Sequence, residues 1–173
     1  MITLINATNR PENLTGKVVE LYSHLLSESG QANQIFELAE LQNDFIFNAS
    51  FGKASAHMDK IVNEKIIPAQ KFVFIAPEYH GSYPGVLKAF LDAVETKHFR
   101  GKRAALVGVA SGRAGNLRGM DHLTDVLHHM GVEVLSYKVP ISKLNSLFNE
   151  HGALVEAETT IVLKKQIELF SKF

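Results

Sequence analysis

Short apolar runs alternate with longer segments of helical period along the whole chain, and this alternation constrains the fold more than any other feature. Ile2-Thr3-Leu4-Ile5 reads as a first strand. Leu14, Val18, Leu21 and Leu25 then recur at helical spacing, Tyr22 and Leu26 widen the stripe, and Gly30 ends the helix. Gln34 to Leu38 reads as a second strand, and the Asn, Ser and Gly content of Gln42 to Lys53 predicts an irregular loop. A helix is expected from about Ala54 to Ile67, stopped by Pro68. Lys71 to Ala76 forms a third strand whose nearly continuous apolar run implies burial on both faces, as in a parallel sheet. Pro84 to Val94 makes a helix with Leu87, Phe90, Leu91 and Val94 on one side, and Arg103 to Ala110 a fourth strand. Leu117, Met120, Leu123, Leu127 and Met130 mark the next helix, closed by Gly131. Glu133 to Tyr137 is a fifth strand, and the last helix covers about Glu150 to Phe170.

Five strands alternating with five helices predict right-handed βαβ units. The expected architecture is an α/β three-layer sandwich, a five-stranded parallel sheet with helices on both faces. No repeat, low-complexity tract or linker interrupts the 173 residues, so one domain over 1–173 is expected. In such a sheet the ligand crevice lies outside the carboxyl ends of the strands, where the strand order reverses.

Composition narrows the function classes. Lys+Arg and Asp+Glu both number 18, and that balance argues against a nucleic-acid partner, which calls for a basic excess. With no cysteine, disulfides, thiolate zinc sites, iron–sulfur clusters and a cysteine nucleophile are excluded. No apolar run reaches the ~20 residues that cross a bilayer. Met1 to Asn6 are too quickly polar for a secretory signal, which gives a cytoplasmic expectation.

Three loops at strand ends carry the chemistry. The first, Asn6-Ala7-Thr8-Asn9-Arg10-Pro11-Glu12-Asn13-Leu14-Thr15, gathers hydroxyl and amide groups around one arginine at a helix N-terminus. Free backbone N–H groups and the positive end of the helix dipole favour an anion there, and arginine suits a phosphate. An ordinary capped turn with a solvated Arg10 would read the same way. The second loop, Pro77-Glu78-Tyr79-His80-Gly81-Ser82-Tyr83-Pro84-Gly85, offers flat side chains for a ring and main-chain amides to bond its edge. Packing roles for Tyr79 and His80 are the alternative. The third, Ser111-Gly112-Arg113-Ala114-Gly115-Asn116-Leu117, is again a small-residue loop running into a helix.

Together these loops resemble the NADPH-dependent FMN reductase family, flavodoxin-like proteins that include quinone, azo-dye and chromate reductases. Pro77 to Lys88 is similar to the family's PEYN-x-S-x-PG-x-LK signature, and Gly101-Lys102 and the Ser111 to Arg118 stretch agree with it. The resemblance implies FMN as cofactor and NAD(P)H as electron donor. It gives phosphate roles to Thr8, Arg10, Asn13 and Thr15, with Leu14 beside them. It sets Pro77, Glu78, Tyr79, His80, Gly81 and Ser82 along the isoalloxazine, chiefly through main-chain groups, and Ser111, Gly112 and Gly115 at the ring's other edge. Ala7 and Thr8 stand where the family has Gly-Ser, Asn13 where it has a second serine, and His80 where it has asparagine. A homodimer or homotetramer is implied as well.

The expected function is therefore an FMN-dependent NAD(P)H oxidoreductase that reduces a small acceptor such as a quinone, an azo compound or free flavin. Because the cofactor carries the reaction, no catalytic residue is named. A flavodoxin-type electron carrier and a flavin-free interaction module are the alternatives on the same fold. A phosphoacceptor receiver needs an acidic Mg²⁺ pocket, and here the third strand ends in Pro77-Glu78. His122, His128 and His129 share a helix without an HExxH motif, and read as solvated or partner-facing rather than as a metal site. Arg113 or Arg118 could discriminate NADPH from NADH, and either could equally be structural.

Overall fold

The apolar runs become the strands of one parallel sheet in the computed structural model, which describes residues 1–53, 55–149 and 154–173. β1 (Ile2–Asn6) pairs on one side with β2 (Asn33–Glu37) and on the other with β3 (Lys71–Pro77), and β3 pairs with β4 (Arg103–Val109). The fifth position is shared by β5 (Glu133–Val134) and β6 (Val139–Ile141), both parallel to β4. The order 2-1-3-4-5 is that of a flavodoxin-like sheet, with the reversal between β1 and β3.

Strand alternation sorts the core onto two faces. Leu4, Val73, Ile75, Ala105 and Val107 pack against α1 (Thr15–Glu28) and α6 (Ala157–Lys172). Ile5, Phe72, Phe74, Ala104 and Leu106 point the other way. They meet α3 (Ala56–Ile61), α4 (Gly85–Ala93) and α5 (Leu117–His129). Both faces of β3 and β4 are buried, which is why their sequences read as unbroken apolar runs.

Three departures from the sequence reading have local causes. The Gln42–Lys53 stretch contains a helical turn, α2 (Phe45–Asn48), because Phe45 is drawn into the core while Phe47 and Phe51 stay exposed. The helix expected to begin near Ala54 is seen from Ala56, the Ala54 start lying outside the described residues, and its last turn widens over Val62–Ile66 before Pro68. The expected start of the last helix near Glu150 also lies outside the described residues; the helix runs from Ala157.

The fifth strand is not continuous over Glu133–Tyr137. It breaks after Val134 and resumes at Val139, and Gln166 of α6 fills the gap. Its Nε2 donates to the carbonyls of Leu106 (2.9 Å) and Tyr137 (2.8 Å). Its Oε1 accepts the Tyr22 phenol at 3.0 Å. A buried amide thus satisfies carbonyls that a regular ladder would have paired, and burial pushes the Tyr22 phenol pKa up.

Candidate functional site

The rim of the sheet is set by strand register. Asn6 pairs with both Glu37 and Ile75, and Pro77 pairs with Val109, so the loops after β1, β3 and β4 leave side by side. They enclose a cleft of about 470 Å³ lined by Arg10 to Thr15, Pro77 to Tyr79, Val109 to Ser111, and Leu144-Asn145. A larger hollow of about 690 Å³ lies between α1 and α6, but it sits by Gln31 at the strands' amino ends. Its Lys164 and Glu28 pair with each other at 3.3 Å. The cleft at the carboxyl ends is the one the topology designates.

At the first loop the donors outnumber the acceptors. Among the described residues, the backbone N–H groups of residues 12 to 15 find no protein acceptor. They stand at the start of α1, which has no acidic residue in its first turn. Thr15 is buried yet lines the cleft, and its hydroxyl has no protein partner among the described residues. Arg10 is exposed beside them. Glu12 and Glu78 line the same cleft and oppose an anion in part. The arrangement fits a phosphate group, since unpaired N–H groups at a helix start and one guanidinium are what such a group needs.

Asn13 and Thr8 shape this loop from within. Asn13 Oδ1 accepts the Gly16 N–H at 2.9 Å and the Asn6 amide at 3.2 Å, and its Nδ2 donates to the Arg10 carbonyl at 2.8 Å. Asn13 lines the cleft, but its side chain is largely spent on holding the turn. Thr8 does not line the cleft at all; it is fully buried and bonds inward. Asn6, also buried, donates to Glu37 Oε2 at 2.6 Å. Partial burial of the Glu37 carboxyl raises its pKa, with the Asn6 bond working against the rise.

The second loop is a tight hairpin. Tyr79 and Ser82 exchange both backbone hydrogen bonds, at 2.9 and 3.1 Å, across His80 (φ 51°) and Gly81 (φ 77°). Two central residues with positive φ make a type I′ turn, in which glycine is at home and histidine is strained. The expectation of free amides needs correcting here: the Glu78 N–H goes to the Val109 carbonyl (2.9 Å), and that of Tyr79 to Ser82. The register of β3 on β4 and the hairpin's own closure claim them. Of the predicted residues, Arg10, Asn13, Leu14, Thr15, Pro77, Glu78, Tyr79 and Ser111 are brought together on the cleft wall. His80, Gly81 and Ser82 form the hairpin's tip beside α5, where Ser82 Oγ meets His122 Nδ1 at 2.9 Å. Gly112 and Gly115 are not on the wall.

Glycines lock the third loop onto its neighbours. A methyl on Gly108 would overlap the Gly115 carbonyl oxygen, and one on Gly115 would come within 2.6 Å of Pro140. One on Gly119 would lie 2.7 Å from the Tyr83 nitrogen. Asn116 sits buried in a left-handed conformation (φ 60°) and donates to the Ala76 carbonyl at 2.9 Å. The sequence reading missed Leu144 and Asn145. Lys143 and Leu144 donate backbone hydrogen bonds to the Gly112 and Ala110 carbonyls (2.9 and 3.0 Å), which pins that turn to the cleft's edge. The signal was the rule that every strand's carboxyl end faces the crevice, but the broken fifth strand moves that end from Tyr137 to Ile141.

Comparison with known proteins decides the family. The family model described as NADPH-dependent FMN reductase matches residues 1–145, the stretch that holds all of the loops above. The chain belongs to this family. It is 32% identical over 109 residues to an NAD(P)H-dependent FMN reductase of Pseudomonas aeruginosa, covering 61% of this chain and 59% of that protein. Thus the match spans about three-fifths of that relative's length. A 2-hydroxy-1,4-benzoquinone reductase of a Burkholderia species is 20% identical over 154 residues, covering 86% of this chain and 84% of the other. Among solved structures, the flavoenzyme NAD(P)H:(acceptor) oxidoreductase FerB of Paracoccus denitrificans superposes with a TM-score of 0.80 at 19% identity. That superposition covers 99% of this chain and 94% of that one, and it shows the shared fold. Among the described residues, no helix of this family member is long and apolar enough to cross a membrane.

Proposed function

We propose that this family member binds FMN in the cleft between β1, β3 and β4 and moves electrons from NAD(P)H to a small acceptor such as a quinone, an azo compound or free flavin. The observation that carries the reading is the surplus of unpaired donors at the start of α1, beside Arg10, at one end of an open cleft at the strand-order reversal. FMN, when bound, supplies the hydride-accepting ring. The chain's own work is to hold the phosphate with residues 12 to 15 and Arg10, and to wall the ring with Pro77, Glu78, Tyr79, Ser111 and the Leu144 turn. The same reading takes residues 1–173 as one FMN-binding unit working in the cytoplasm, where NAD(P)H is held.

Purified protein loaded with FMN is expected to lose its yellow colour when NADPH or NADH is added under anaerobic conditions. Initial rates at several fixed acceptor concentrations should give parallel lines in a double-reciprocal plot. Flavin that stays oxidised with both nucleotides, yet is reduced by dithionite, would replace the enzyme with an electron carrier on the same fold.

Assembly as a homodimer or homotetramer belongs to this proposal. Phe47 and Phe51 are 73% and 89% exposed in the stretch before α3, and their rings are open to a second copy of the chain. Sedimentation at micromolar concentration should show a dimer or larger species, and replacing both residues by serine should shift it to monomer. A wild-type protein that sediments only as monomer would count against the assembly.

A further inference from the structure

Tyr79 belongs to the second loop, but its phenol reaches the first. The Tyr79 oxygen lies 2.7 Å from Thr8 Oγ1, and Thr8 Oγ1 also accepts the Arg10 backbone N–H at 3.1 Å. The direction of the first bond follows from counting protons. Thr8 is fully buried, and a hydroxyl carries a single proton that it cannot leave unpaired without cost. Among the described residues, the one acceptor within reach of that proton is the Tyr79 oxygen. Thr8 therefore donates and Tyr79 accepts. The phenolic proton of Tyr79, half-buried and on the cleft wall, is left free to point into the cleft.

We infer that the Tyr79 O–H is a hydrogen-bond donor to the phosphate of the bound nucleotide, and that Thr8 is the positioning residue that aims it. The inference rests on the FMN reading above and reverses the expected division of labour: the hydroxyl at the phosphate belongs to the second loop, and Thr8 acts through it. A phenol donating to a phosphate oxygen makes a charge-assisted bond of the stronger kind. It also ties the two loops to one ligand group, so that a phosphate-bearing flavin holds the ring wall and the phosphate loop in a fixed relation.

The test is a double-mutant cycle on affinity, read by flavin fluorescence for both FMN and riboflavin with Tyr79→Phe, Thr8→Val and the double variant. Tyr79→Phe keeps the ring and drops the proton, and should weaken FMN about tenfold or more while changing riboflavin by less than about twofold. Thr8→Val should cause part of that loss in the wild-type background and a smaller one in the Tyr79→Phe background, where only the acceptor of the Arg10 N–H is left to lose. The ³¹P resonance of bound FMN should move in Tyr79→Phe. Thr8→Ser, which keeps the hydroxyl, should bind as wild type does and stands in if the valine variant fails to fold. Equal losses for FMN and riboflavin would put the Tyr79 hydroxyl at the ring and overturn the inference, as would fully additive losses, which would mean that Thr8 acts through the Arg10 turn and not through the phenol. An unchanged FMN affinity in Tyr79→Phe would remove the phenol from the site. If the unmodified protein binds no FMN at all, the underlying reading fails first and this one with it.

Discussion

Arg10→Ala is expected to weaken FMN binding roughly 10- to 150-fold and to leave riboflavin nearly unchanged, the range that follows from losing a charge-assisted hydrogen bond of about 1.5–3 kcal/mol. Arg10 is the cation of the first loop that lines the cleft, and Glu12 and Glu78 share its wall, so no other charge there takes over. The side chain is exposed, and water and salt screen it. The loss should therefore approach the lower end of the range at physiological ionic strength and grow as salt is removed. Arg10→Lys should fall in between, because it keeps the charge but not the two-pronged geometry. Isothermal titration with both flavins at two salt concentrations measures all of this. An FMN dissociation constant that is the same in wild type and Arg10→Ala would move the phosphate away from the first loop.

Gln166→Leu is expected to be strongly destabilising although it lies outside the cleft. Leucine matches glutamine in bulk but leaves the Leu106 and Tyr137 carbonyls without a donor and the Tyr22 phenol without an acceptor. Each buried group so orphaned costs about 1–3 kcal/mol, and water can reach the Tyr137 carbonyl only in part, so a total of about 2–6 kcal/mol is expected. For a chain of this size each kcal/mol moves the melting temperature by roughly 2–4 °C, which makes a drop of about 4–24 °C. Tyr22→Phe should cost much less, since it removes one partner and leaves Gln166 bonded to both carbonyls. Thermal melts of the two variants and their combination give the test. Additive losses would mean that the three groups do not act as one network.

Legibility in the sequence followed the physics of burial. The strands β3 and β4 and the helices α4 and α5 were readable because both faces of the sheet are covered and their apolar residues recur with a clear period. The β5–β6 break was not, because what sustains it is Gln166, a residue some thirty positions further on whose polarity looks like ordinary helix surface. The cleft divided along the same line. Arg10, Thr15, Pro77 and Ser111 were legible from loop chemistry and family resemblance together, and they share one wall. The inward turn of Thr8 and the engaged N–H of Glu78 depend on what each meets across the fold, and the spent amide of Asn13 and the N–H of Tyr79 on how their own loops close. Residue type alone does not carry that information.

The glycines behind the third loop have a consequence for how this scaffold can diversify. Gly108, Gly115 and Gly119 admit no side chain, because backbone or ring atoms already fill the space a methyl would need. Change at those positions is closed, and with it any gradual reshaping of the loop from behind. Gly112 is different: its φ is ordinary and nothing lies within 4 Å of where a side chain would begin. A lineage, or an engineer, wishing to vary this loop has that position open, where a first side-chain carbon meets nothing and the frame behind it stays undisturbed.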